Sequence, residues 1–181
     1  CLMRPHLKIL VIEDAADLLE QITSSIGNTI SYFDRSDVEI SLIEASSVSA
    51  ALQYIRDDGD IQAVVFSWDV AAKESELVSA SADGSALDGI TLTDNALSSK
   101  LASESVSVEN NARVIDAIKS IRPELPVYVL GDAVKGLDIV NQAKGIESFF
   151  YRNDIISDPE SILGYIINDF DDRNETPFWT E

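Results

Sequence analysis

Residues 61–70 read "IQAVVFSWDV", an apolar run broken by Gln62 that stops at Ser67, Trp68 and Asp69. Its first seven residues read as a strand buried in the interior of a sheet, because such strands are near-continuous in Val, Ile and other large apolar side chains. In parallel sheets, ligands and reactive groups collect beyond the carboxyl ends of the strands. The fold therefore turns on whether similar strands flank this one, and the function on what Ser67, Trp68 and Asp69 do at its end.

Four more stretches have the same character. "LKILVIE" (7–13), "VEISLIEA" (38–45), "PVYVLGD" (126–132) and "IESFFY" (146–151) each read as a strand. Segments of helical period lie between them. Leu18, Leu19, Ile22 and Ile26 make one apolar stripe, with Asp14 or Asp17 as its N-cap. Val48, Leu52 and Ile55 make another, closed by Gly59. Val114, Ile115, Ile118 and Ile121 form a third that Pro123 ends. A short helix is expected over 135–145, closed by Gly145. The last runs over 158–173, with Asp158 as cap, Pro159 in the first turn, and Ile162, Ile166 and Phe170 on its inner face beside Tyr165 and Ile167. Alternating strands and helices imply an α/β fold: a doubly wound, five-stranded parallel sheet with helices on both faces and right-handed crossovers. One domain over 1–173 is expected. Within it, 71–109 is rich in Ser, Ala and acidic residues and reads as an inserted loop, too poor in large apolar side chains for a second core. Residues 174–181 read as the start of a linker.

The chain has 181 residues, 45% of them hydrophobic, as a globular protein requires. Its 32 acidic and 13 basic residues leave a net charge of −19. Such a surface repels nucleic acid and anionic membrane, and neither is expected as a partner. The lone cysteine, Cys1, permits no internal disulfide. The lone histidine, His6, lies before the first strand and excludes a Ser-His-Asp triad or a His-rich metal site. No apolar run approaches the roughly 20 residues that span a bilayer. The opening "CLMRPHLKILVIE" runs into a strand without a signal-peptide cleavage pattern, so a cytoplasmic protein is expected. No Gly-rich phosphate loop follows the first strand.

The strand ends resemble those of a response-regulator receiver domain. Glu13 and Asp14 stand where receivers bind Mg²⁺, and with Asp69 they are weak metal candidates. Ser67 stands at the phosphoacceptor aspartate, Gly131 at the family's hydroxyl residue, and Tyr151 or Arg152 at its lysine. A serine without an adjacent base is a poor nucleophile, so the resemblance implies a degenerate receiver.

A second resemblance covers most of the chain. "VVFSWDV", "RPELPVYVLGD", "IESFFYRND" and a long helix leading to "NETPFWTE" are similar, in that order, to the amino-terminal wing domain of bacterial Orn/Lys/Arg decarboxylases; the 71–109 segment departs from that pattern. The resemblance implies a non-catalytic, receiver-like domain that helps copies assemble, in some cases in response to acid. Pyridoxal phosphate would belong to a catalytic domain not present in this sequence, whose Ser-x-His-Lys context is absent here. The expected partners are other copies and that catalytic domain. Trp68, Phe178 and Trp179 are interface candidates, the last two because large apolar groups near a terminus gain most by packing on something else. No catalytic or cofactor-binding residue is expected in the chain itself. The alternatives are a stand-alone pseudo-receiver that binds a protein partner and, after it, a phosphorylatable receiver.

Overall fold

The computed structural model describes residues 5–32, 37–68, 111–131 and 145–174. Strands β1 (His6–Ile12), β2 (Glu39–Ala45), β3 (Ile61–Ser67), β4 (Val127–Gly131) and β5 (Ser148–Tyr151) pair in parallel, in the order β2-β1-β3-β4-β5. The helices are α1 (Ala16–Tyr32), α2 (Val48–Asp57), α3 over 111–121, α4 (Arg152–Ser157) and α5 (Pro159–Asn174). This is the expected doubly wound sheet. Its order reverses between β1 and β3, the point at which such sheets open a crevice.

The strand period of two divides the core into two layers. Leu10, Ile12, Val64, Phe66, Val127 and Val129 face Val48, Ala51 and Ile55 of α2 and Val114, Ile115 and Ile118 of α3. On the other face, Leu7, Ile9, Val11, Val65 and Leu130 meet Leu19, Ile22 and Ile26 of α1. Ile155 of α4 and Ile162, Leu163, Ile166, Ile167 and Phe170 of α5 complete that layer. Each Val, Leu, Ile or Phe among them contributes about 1.5–3 kcal/mol when fully buried. β1, β3 and β4 are central and almost wholly buried, whereas β2 and β5 are edges and half-exposed.

Several local expectations are corrected. The first helical hydrogen bond of α1 runs from Leu19 N to Ala15 O, so neither Asp14 nor Asp17 is its cap. Asp17 lies inside the first turn, where its charge still suits the helix N-terminus. Helix α2 begins on Ser47, whose Oγ accepts from Ala50 N at 3.0 Å. It closes on Asp58, which is extended (φ −119°) and donates its N–H to Tyr54 O. No left-handed residue is needed there, and Gly59 does not have one; Gly145, at φ 88°, does. Helix α4 was not foreseen. The expected loop over 71–109 lies outside the described residues, as do 175–181 and all of the 135–145 helix except Gly145.

Candidate functional site at the carboxyl end of the sheet

Four strand ends are brought level by register. Ile12 pairs with Phe66, Ser67 with Leu130, and Gly131 with Tyr151. The ladder continues one residue further, with Glu13 N donating to Ala45 O and Trp68 N to Leu130 O. Glu13, Ser67, Gly131 and Tyr151-Arg152 are thus neighbours at one corner, although they are spread over 140 residues of sequence (Glu13 to Arg152 inclusive).

The side chains there form a chain of hydrogen bonds. Arg152 Nη2 donates to Ser67 Oγ at 3.0 Å, and Ser67 Oγ donates to Glu13 Oε1 at 2.7 Å. Arg152 Nε lies 3.9 Å from the same Glu13 oxygen, and Glu13 Oε2 accepts from Ala15 N at 3.3 Å. Ser67 is 0% exposed, Glu13 3%, and the Arg152 side chain 12%. A buried carboxylate is tolerated only when paired and hydrogen-bonded, and this one is both. Burial nevertheless pushes the Glu13 pKa up. Ser67 opposes that shift, a hydrogen bond with Asp14 adds to it, and the Ala15 amide and Arg152 pull the other way.

This geometry changes the reading of Ser67. An acceptor for its proton does stand beside it, namely Glu13, which lies 54 positions away in the chain and was invisible as a neighbour. What disables the serine as a nucleophile is burial, together with the Arg152 donor aimed at its oxygen. A nucleophile must be approachable by its electrophile, and Ser67 presents no surface.

Of the two candidates for the cationic position, Arg152 reaches the corner. Tyr151 is 45% exposed, with its ring edge-on to Phe149 at 5.5 Å. Gly131 ends β4 without a side chain. Trp68, offered as an interface anchor, is 2% exposed and packs in the core layer beneath α2 and α3. An anchor needs surface, and in this chain Trp68 serves as a lid on the core. Asp14 follows Glu13 and helps to raise its pKa, while Asp69, Phe178 and Trp179 lie outside the described residues. Among the described residues, no group of three or more His, Cys, Asp or Glu side chains is arranged to hold a metal ion.

One polar contact escaped sequence reasoning altogether. Tyr128, fully buried on β4, donates its hydroxyl to Asp169 Oδ2 of α5, which also lies 3.5 Å from Arg173 Nε. Burial, with Asp169 beside it, drives the phenol far above its ordinary pKa. The Tyr128 ring meets Phe150 at 6.2 Å and Tyr165 edge-on at 6.0 Å. The i,i+4 spacing of Asp169 and Arg173 was the one part of this cluster that the sequence displayed.

The family model for "Orn/Lys/Arg decarboxylase, N-terminal domain" matches residues 22–155. Among solved structures, the chain is similar to the N-terminal domain of a response regulator/sensory box/GGDEF three-domain protein from Carboxydothermus hydrogenoformans. The TM-score is 0.54 at 12% identity, covering 93% of this chain and 99% of that one. It is also similar to a response regulator receiver protein from Pseudomonas putida, with a TM-score of 0.50 at 14% identity over 93% and 99% of the two chains. The lysine decarboxylase LdcF of Francisella novicida matches with a TM-score of 0.50 at 10% identity over 93% of this chain, which spans 18% of that enzyme. At these identities the structures show a shared fold. No curated protein matches the sequence.

Proposed function

Because the chain belongs to the family of Orn/Lys/Arg decarboxylase N-terminal domains, we propose that it is the non-catalytic assembly domain of a pyridoxal-phosphate-dependent decarboxylase of basic amino acids. Its partners are other copies of itself and the catalytic domain of its own chain, in the cytoplasm. The observation that carries this reading is the closed corner. The one place where a receiver-like sheet exposes reactive groups is filled by Glu13, Ser67 and Arg152, bonded to one another and buried. A domain that keeps its fold while closing that site is left with its surface as its working part. No helix among the described residues is long and apolar enough to cross a membrane.

Pyridoxal phosphate is held through a lysine amine, and it supplies an electron sink for carbanions when bound. Lys8 Nζ is engaged by Asp58 at 2.7 Å, and Lys119 Nζ donates to Leu125 O at 2.6 Å. Both described lysines are thus engaged within the fold.

The test is the mass of the native polypeptide, blotted from cell extract with an antibody to this domain. A band several times 19.7 kDa is expected. A band at 19.7 kDa would overturn the decarboxylase reading and favour a free-standing pseudo-receiver.

A further inference from the structure

Helix α4 has little to hold it by itself. It is six residues long, its N-cap Tyr151 makes no side-chain capping bond, and Ile155 is its one buried residue. So short a helix is unstable in isolation, and the amides of its first turn have no partner within it. Yet it stands between β5 and α5 and packs against α1, so its placement sets where α5 begins.

Its first residue is Arg152. In the strand order β3-β4-β5, a side chain reaching from the end of β5 to the end of β3 passes the end of β4. That strand ends in Gly131, which offers no side chain to obstruct it. The guanidinium reaches Ser67 of β3 and, through it, Glu13 beyond β1. Two points of the sheet edge, at β3 and β1, are thus tied to one point of α4.

We propose that Arg152, Ser67 and Glu13 form a clasp that fastens the β5–α4 junction to the carboxyl ends of β1 and β3, so that the seating of α4 depends on these three side chains. The corner has exchanged chemistry for mechanics: the positions that would carry reactive groups hold a helix in place. This inference does not depend on the assembly reading.

Hydrogen exchange of the whole chain, followed peptide by peptide, tests it. In Arg152→Ala, amides from β5 to the first turn of α5 should exchange on the order of tenfold faster, as the loss of a charge-assisted hydrogen bond implies. Exchange in α2 and β1 should stay at the parent rate. Arg152→Lys should recover part of the protection, because an ammonium also donates to Ser67. Ser67→Ala is the smaller change, and it should produce the same local pattern should Arg152→Ala fail to fold. Unchanged exchange at α4 in both alanine variants would overturn the clasp, and so would acceleration spread evenly over the sheet.

Discussion

Ser67 stands at the strand end that the resemblance to receivers assigns to a phosphoacceptor, and a carboxylate placed there is not expected to supply that chemistry. In Ser67→Asp the new charge would sit against Glu13 in a site with no access to solvent. Two carboxylates so close cannot both ionise without cost, and Arg152 can offset one of them. The expected outcome is a loss of about 2–4 kcal/mol in chemical denaturation. Acetyl phosphate and Mg²⁺ should add no phosphoryl mass to the parent or to the variant; a mass gain in the parent would return the receiver reading. Glu13 supports a second prediction. Burial holds its folded pKa above the unfolded value. Its contribution to stability is therefore fully present below the ordinary Glu range and is lost as pH rises through the raised folded value. Glu13→Gln, which stays neutral, should gain stability relative to the parent at neutral pH, and the gap should close as pH falls below the Glu range. Paired thermal melts across that window measure it, and a gap that stays constant with pH would show that the Glu13 charge costs the fold nothing.

Among the elements, the strands were legible because burial on both faces leaves runs such as "LKILVIE" and "IQAVVFS" with no helical reading that competes. The long helices were legible through their stripes, Ile22 with Ile26 and Ile162 with Ile166 and Phe170. Helix α4 was not, because "RNDIIS" buries a single residue and carries no period at all. Caps were misread where a backbone or neighbouring group took the role expected of a side chain, as at Ala15 and Asp58. The candidate site was half legible: each strand end was identified, but the bonds between Glu13, Ser67 and Arg152 arise from register, which no local pattern encodes. The same holds for Tyr128 and Asp169, and here the element scale gives a clean test. Tyr128→Phe keeps the ring packed on Phe150 and Tyr165 and removes the hydroxyl that ties β4 to α5. Asp169 keeps Arg173 nearby, so the cost should be about 1–2 kcal/mol in denaturant unfolding. Ser47→Ala, which strips the N-cap of α2, should cost about 1 kcal/mol. If neither substitution moves the midpoint, these contacts do not contribute to the fold in solution.

For the whole molecule, the controlling quantity is the net charge of −19. Two copies that approach each other at neutral pH do so against like-charge repulsion, whichever faces meet. Most carboxylates among the described residues are exposed, and lowering the net negative charge by acidification weakens the repulsion without any dedicated sensor. Salt weakens it too, since the Debye length is about 10 Å at 0.1 M and about 3 Å at 1 M. The weight-average sedimentation coefficient should therefore rise when the chain is taken from neutrality to about pH 5. It should also rise at neutral pH when salt is added to about 0.5 M. The two arms separate two mechanisms. Diffuse repulsion predicts that salt and acid act alike. A response to acid that salt cannot reproduce would mean that association depends on protonation of particular groups and not on net charge alone. No response to either would mean that charge does not limit association.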